Sequence, residues 1–404
     1  MRILYINSVC RRGSTGKIVY DLYTQSRADG HAAAICYGRG DRIEEENICK
    51  FGLDWETYLH ALLTRLTGWT GCFSFFSTRR LLRFIREFQP DVVHIHELHA
   101  YFVNLKPLLR YLAEQHIPVV QTLHCEFTYT GKCGHAYECT RWQADCGKCP
   151  HLRDYPKTLW FDHTATMLRQ KKELFGALKH LTIAAPSAWL ADRARDSFLK
   201  SRKICVVHNG IDTERVFRLC NTVELREKYG LSGKKVVLAV APDLLSRHKG
   251  GRWVLQLAER MPEAKFVMIG ISDLSEQFPA NVIALGPIYD QTLLAQYYAM
   301  ADSFVICSEK ENFPTTCLEA FCCGTPVAGF AAGGTAETVP PPYGSFIPYG
   351  ELDGLQAAVE RQLSTEFDRE TTAAAARQLY SSQTMYRAYR KLFEELLEEK
   401  ENAR

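Results

Sequence analysis

Glu311 and Glu319 stand eight positions apart in the stretch Cys307-Ser308-Glu309-Lys310-Glu311-Asn312-Phe313-Pro314-Thr315-Thr316-Cys317-Leu318-Glu319. The residues up to Ser308 read as a strand, and a short loop follows. A helix is predicted from near Pro314, since proline suits a first turn, where its missing N–H would have had no partner. Gly324-Thr325-Pro326 then stops that helix. A helix starting after a strand presents free N–H groups and a partial positive charge, a fitting seat for a diphosphate. Two carboxylates beside such a seat can accept hydrogen bonds from sugar and ribose hydroxyls. Taken alone, either glutamate reads equally well as an ordinary solvated residue. Arg247 and Lys249, in Ser246-Arg247-His248-Lys249-Gly250-Gly251, place cations after the expected strand Val236–Ala241. That is where a diphosphate would lie in a nucleotide-binding sheet.

The first half carries less decisive signals. Gly13-Ser14-Thr15-Gly16-Lys17 follows the first expected strand, but its glycines are too close together for a Walker phosphate loop. His124 ends the run Val119–His124, where a lone histidine is more often structural than chemical. His94-Ile95-His96-Glu97-Leu98-His99 is similar to a metallo-hydrolase motif, but its acid is one place off and no further ligand pair follows. Cys133, Cys139, Cys146 and Cys149 fall within 17 residues and close on Cys-Gly-Lys-Cys. Four thiolates suit a structural zinc with no open position for catalysis. Free thiols in a loop insert are the other reading. Phe73, Phe75 and Phe76 precede Arg79, Arg80, Arg83 and Arg86. Such a stretch suits an anionic membrane surface, or else an ordinary helix with core aromatics and solvated arginines.

Short apolar runs must position these residues. Ile3–Asn7, Ala33–Tyr37, Val92–His96, Val119–His124, Ile183–Ser187 and Cys205–His208 alternate with helical stretches such as Gly16–Ala28, Thr78–Phe88 and Leu105–His116. The rhythm restarts with Val236–Ala241, Lys265–Gly270, Val282–Gly286, Phe304–Ser308 and Pro326–Phe330. Near-continuous apolar strands alternating with helices predict α/β architecture: two Rossmann-like, doubly wound domains facing across a cleft. The expected bounds are 1–207 with a cysteine-rich insert at 125–150, then 208–379, then a terminal helix over 380–404. At 404 residues, with 46% hydrophobic and 24% charged residues, the chain has material for two cores. A net charge of +3 makes no whole-molecule case for nucleic acid. No run reaches the ~20 apolar residues of a membrane span, and Met1–Asn7 is too short for a signal-peptide core. The expected location is the cytoplasm, with its 15 cysteines reduced.

Glu311, Glu319-Ala320, Gly324-Thr325-Pro326-Val327 and Gly333-Gly334 before Glu337 resemble the signature of the retaining family 4 (group 1) glycosyltransferases of GT-B fold, of the capsular and exopolysaccharide type. The resemblance implies that Glu319 holds the nucleotide ribose and Glu311 the transferred sugar. Backbone amides around Asn312, Phe313, Thr315 and Thr316 would meet the sugar and diphosphate. Pro314 stands where many members have glycine. Lys249 matches the family loop well, while Arg247 sits closer to the lysine than is usual. Gly13 and Gly16 would let the backbone approach donor phosphate or acceptor, and His124 would hydrogen-bond the sugar. The implied reaction needs no catalytic cofactor and moves a sugar from a nucleotide diphosphate to a saccharide or lipid-linked acceptor. Contact with the inner face of the membrane would fit such an acceptor. The terminal helix is expected to pack back on the first domain. A sugar-nucleotide epimerase and a non-catalytic, zinc-bearing binding protein are the rival readings.

Overall fold

The computed structural model describes residues 1–402 and divides into two units. The first comprises Met1–His208 together with the chain end from Met385, and the second is Asn209–Thr384. In the first unit, β1 (Arg2–Asn7), β2 (Ala32–Tyr37), β3 (Ile48–Lys50), β4 (Val92–Ile95), β5 (Val119–Thr122), β6 (Leu181–Ala185) and β7 (Lys203–Val206) form a seven-stranded sheet. Its order is β3-β2-β1-β4-β5-β6-β7, and every pairing is parallel. The residues of β4, β5 and β6 are all buried, as expected for strands covered by helices on both faces.

The second unit repeats the design. Strands β8 (Val236–Val240), β9 (Lys265–Ile269), β10 (Val282–Leu285), β11 (Ser303–Ile306), β12 (Val327–Phe330) and β13 (Gly344–Ile347) are ordered β10-β9-β8-β11-β12-β13. In each sheet the chain winds outward from one strand, then returns to wind the other way. The direction reverses between β1 and β4, and again between β8 and β11. At these places the loops leaving neighbouring strands diverge and open a crevice at the carboxyl ends, which is where such sheets bind ligands.

Several elements lay beyond the apolar pattern. Edge strands β3 and β13 are short, and β13 is only half-buried, so their apolar signal is weak. The predicted strand ends overshoot: β4 stops at Ile95 and β5 at Thr122, leaving His96 and His124 in the following loops. The terminal helix is preceded by another that the expected elements did not include. Arg369–Tyr380 ends at Ser381, whose ψ of 147° is extended, and Ser382–Asn402 begins anew. The Thr384 N–H donates to Ser381 Oγ at 3.1 Å, capping the new start. From Met385 onward this last helix belongs to the first unit. Met385, Tyr389, Phe393 and Leu396 join the core of Ile3, Tyr5, Val19 and Leu22. Each such side chain, taken fully out of water, contributes about 1.5–3 kcal/mol. Tyr386 also donates to Asp29 Oδ2 at 2.9 Å, and Lys203 pairs with Glu395 at 2.9 Å.

Candidate active site

Both crevices carry the polar residues singled out above. In the second unit, the loop after β8 ends at Gly250 and leads into the helix Gly251–Arg260, while the loop after β11 leads into the helix Thr315–Cys322. The two loops are stitched together. The Glu309 N–H donates to the His248 carbonyl at 3.0 Å, His248 Nδ1 lies 2.7 Å from Glu309 Oε2, and Lys249 Nζ donates to Glu311 Oε1 at 2.6 Å. Arg247, two residues earlier, is exposed and makes none of these pairs.

Glu311 is fixed from behind by a second loop. Its carbonyl accepts the Gly334 N–H at 2.9 Å, and its own N–H donates to the Ala332 carbonyl at 3.3 Å. Gly333 has a φ of +69°, and a Cβ there would sit 2.2 Å from the Glu311 carbonyl oxygen. Only glycine fits both the conformation and the space.

Asn312 and Phe313 are buried, while Thr315 and Thr316 remain partly open at the head of the helix. Asn209 donates to the Phe313 carbonyl at 3.4 Å, and the Phe313 ring packs on Tyr380. Pro314 is the cap itself, with an extended ψ of 120°, rather than a member of the first turn as predicted, and its ring offers the helix start no capping acceptor. Its leading N–H groups therefore fall to whatever anion lies there. Glu319, 6% exposed, receives a hydrogen bond at 2.8 Å from the hydroxyl of fully buried Tyr298 on the neighbouring helix Gln291–Met300.

The first unit assembles a different cluster. Asn7, at the end of β1, accepts the Glu97 N–H on Oδ1 at 3.2 Å and donates to the Val9 carbonyl at 2.8 Å. Ser8 Oγ donates to Glu97 Oε2 at 2.8 Å, and His99 Nε2 lies 3.4 Å from Glu97 Oε1. Burial pushes the Glu97 carboxyl up, but the hydrogen bonds and charge of His99, with His124 and Ser8, outweigh it and hold it at about 2. His99 is in turn held well above its usual value despite burial, by Cys125 and Glu97. His96 Nδ1 and His124 Nε2 are 2.8 Å apart with their rings stacked, and burial pushes His124 down to about 4. At neutral pH His124 is therefore uncharged, able to share a hydrogen bond with a hydroxyl without adding a cation. Behind this pair, His94 Nε2 meets Thr122 Oγ1 at 2.7 Å, and that oxygen meets the Tyr389 hydroxyl at 2.8 Å.

The two glycines in the first turn of the helix Gly13–Ala28, which follows β1, differ in purpose. Gly13 carries a φ of +62° in open space, so its backbone conformation is what calls for glycine. A Cβ on Gly16 would come within 3.1 Å of Val9 and 3.2 Å of the Arg11 nitrogen, so there the space decides.

The zinc expectation is overturned. Among the described residues no group of three or more His, Cys, Asp or Glu is placed to hold a metal ion. Cys133 and Cys149 share a hydrogen bond that pushes Cys149 down to about 7. Cys146 instead meets the backbone at Gly131, and Cys139 lies next to Trp142, whose Nε1 donates to the Cys139 carbonyl at 2.7 Å. A buried ion pair and hydrogen bonds organise the insert. Glu126 is fully buried, pairs with Arg193 Nε at 2.6 Å and accepts the Ala136 N–H at 2.6 Å. Lys132 donates to the Asp154 and Pro156 carbonyls at 2.8 and 2.7 Å. The same finding removes the metallo-hydrolase reading of His94–His99, whose rings are engaged with Thr122, His124 and Glu97.

Sequence reasoning missed Ser8, the Glu97–His99 pair and Tyr298. Glu97 and His99 lay inside a noted motif, and a hydrogen-bonded reading of that motif would have found them. Tyr298, 21 residues before Glu319, leaves no local signal.

The family model for Glycosyltransferase Family 4 matches residues 15–215, and that for Glycosyl transferases group 1 matches residues 221–379. Over 415 aligned residues the chain is 26% identical to WcaC of Escherichia coli (strain K12), provisionally named a colanic acid biosynthesis glycosyl transferase; the match covers 98% of this chain and 100% of that protein. Among solved structures, sucrose-phosphate synthase from Thermosynechococcus elongatus has a TM-score of 0.68 at 17% identity, covering 98% of both chains. Anabaena HepE in complex with UDP-glucose has a TM-score of 0.64 at 17% identity, covering 98% of this chain and 99% of that one. At these identities the structural likeness establishes the fold, GT-B, with a Rossmann-like unit in each half. With the two family matches tiling residues 15–379, the chain belongs to the glycosyltransferases that pair these two domains, enzymes that take a sugar from a nucleotide-diphosphate donor.

Proposed function

We propose that the enzyme is a retaining transferase that passes the sugar to a saccharide or lipid-linked acceptor in cell-surface polysaccharide assembly. In this reading it works in the cytoplasm, with peripheral contact at the inner face of the membrane. The observation that carries the reading is the second unit's cluster. Lys249 is held 2.6 Å from Glu311 at the head of the helix Thr315–Cys322, and Glu319, on that helix, is fixed by Tyr298 of the neighbouring helix Gln291–Met300. The second unit then binds the donor. Glu319 accepts hydrogen bonds from the ribose and Glu311 from the sugar. The N–H groups from Asn312 to Thr316 and the cations of Lys249 and Arg247 meet the diphosphate.

As the bond from the anomeric carbon to the diphosphate breaks, negative charge grows on the departing oxygens. Lys249 and the helix N-terminus stabilise it where it develops. The departing diphosphate takes the acceptor's proton, and the acceptor oxygen bonds to the anomeric carbon on the face just vacated, so configuration is retained. Neutral His124 and the Gly13–Gly16 turn sit on the acceptor-side unit, where His124 orients a sugar hydroxyl. The full-length similarity to WcaC supports the polysaccharide role.

Thermal shifts against UDP, GDP and ADP come first, because a ligand at a hundred times its Kd stabilises by about 2.7 kcal/mol. With the donor known, Glu319→Ala should abolish transfer while leaving the fold intact, and proton NMR of the product should show the donor's anomeric configuration kept. Full activity in Glu319→Ala, or an inverted product, would refute the assignment. Donor interconversion without any acceptor would favour an epimerase.

A further inference from the structure

The helix Asp54–Thr67 is built inside out. Its buried residues are Glu56, Thr57, His60, Ala61 and Thr64, four of them polar. Its exposed residues include Trp55, Tyr58, Leu59, Leu62 and Leu66, with Trp55 55%, Tyr58 74% and Leu62 50% exposed. At about 3.6 residues per turn these five fall on one stripe roughly 100° wide. An amphipathic helix on a globular protein ordinarily turns such a stripe inward. Here the polar face is held inward by specific bonds. Glu56 accepts the Phe76 N–H at 2.8 Å and the Ser77 N–H at 2.7 Å, capping the start of the helix Phe75–Phe88, and His60 Nδ1 meets Ser74 Oγ at 2.7 Å. The orientation is locked by buried polar groups, so the apolar stripe faces out by construction.

The stripe continues at both ends. Trp55 packs on Phe76, with ring centroids 5.9 Å apart, and Phe75 and Phe76 are 59% and 55% exposed. Beyond Leu66, the Leu159 N–H donates to the Arg65 carbonyl at 3.0 Å, which brings exposed Trp160 and Phe161 alongside. Phe75 also borders an apolar cavity of about 350 Å³ shared with Trp69, Leu105, Met167 and Leu174, with Lys106 at its edge.

The rim is cationic. The helix Phe75–Phe88 has exposed Arg79, Arg80, Arg83 and Arg86 against one acid, Glu87, and Arg79 lines a second hollow with Phe75 and Phe76. Asp54, the exposed acid at the head of the stripe, is paired with Lys50 at 2.8 Å. A second copy presenting the same surface would bring arginine against arginine. An anionic lipid surface satisfies both the apolar stripe and its basic rim.

We infer that Asp54–Thr67 and the start of Phe75–Phe88 form a seat for an anionic lipid bilayer, with the Trp55–Leu66 stripe entering the acyl boundary and the arginines of the neighbouring helix on the headgroups. The inference rests on the proposed peripheral contact with the membrane, but its main element is a helix the sequence pattern did not single out.

The test is co-sedimentation of the full chain with vesicles of phosphatidylethanolamine and phosphatidylglycerol, beside phosphatidylcholine alone. Wild type should partition to the anionic vesicles. Leu59→Glu with Leu62→Glu should abolish this, and Arg79→Glu with Arg86→Glu should weaken it by roughly tenfold or more. The donor nucleotide's thermal shift in each variant separates loss of the seat from loss of the donor site. Quenching of wild-type tryptophan fluorescence by brominated phosphatidylglycerol gives a readout that needs no variant. The proposal is overturned if wild type ignores anionic vesicles, if the leucine variant binds as wild type does, or if Leu59 and Leu62 prove to hold a concentration-dependent dimer.

Discussion

Replacing Tyr298 with phenylalanine isolates the least visible part of the proposed donor site. Tyr298 is fully buried and its hydroxyl donates to Glu319 Oε2 at 2.8 Å, on a carboxylate only 6% exposed. The ring stays, so the core loses almost no volume and the cavity cost is small. What disappears is a hydrogen bond to a charged acceptor, worth about 1.5–3 kcal/mol. In a unit of this size that loss lowers Tm by roughly 3–12 °C. The carboxylate also loses the contact that aims it, and nucleotide affinity is expected to fall about tenfold, the equivalent of about 1.4 kcal/mol. Equilibrium denaturation and calorimetric titration of the preferred nucleotide measure the two effects separately. Glu319→Gln completes a double-mutant cycle, in which residues in contact should couple by about 0.5–3 kcal/mol. If Tyr298→Phe leaves both Tm and nucleotide affinity at wild-type values, or the cycle shows no coupling, Tyr298 does not position Glu319 and the reasoning fails.

Lys249→Ala should lower kcat by on the order of a hundredfold through loss of leaving-group stabilisation, whereas exposed Arg247→Ala should act mainly on KM; steady-state kinetics distinguish the two. Gly333→Ala places a Cβ 2.2 Å from the Glu311 carbonyl at a φ of +69°, so it should displace Glu311 and reduce transfer more than it reduces Tm. Stability of the first unit should fall below neutrality. Burial holds His60 and His124 at about 4 and His94 and His96 well below their ordinary value, so these groups stay neutral while the unfolded chain takes up protons. Unfolding therefore gains from about pH 6.5 downward toward pH 4, by about 1.4 kcal/mol per pH unit for each withheld proton; His99, held protonated in the fold, opposes the trend only above about pH 6.5, because below that the unfolded chain carries the same proton. Urea denaturation at pH 7.5 and pH 5.5 checks the sign, and equal or greater stability at pH 5.5 would contradict it.

Much of this was written locally. Val236–Val240 is apolar at every position, and Val119–Val120 opens a strand buried throughout, because strands covered on both faces meet no water, so the doubly wound pattern could be read without coordinates. The spacing of Glu311 and Glu319 around Pro314 was likewise legible, since a strand, a loop and a helix in succession lie within one continuous stretch of chain. The edge strands β3 and β13 escaped because a short, half-buried strand carries little apolar signal. The cysteine cluster misled for the opposite reason: its spacing suits a metal, but the insert folds around Glu126, Arg193 and Lys132, partners set by long-range packing, and among the described residues no three possible ligands come together. The same limit hid Tyr298 beneath Glu319, the Ser8–Glu97–His99 chain and the outward apolar stripe of Asp54–Thr67. Periodicity reports that a helix has two faces, but which face turns inward depends on neighbours such as Ser74, Phe76 and Ser77, whose bonds to Glu56 and His60 exist only once the chain has folded.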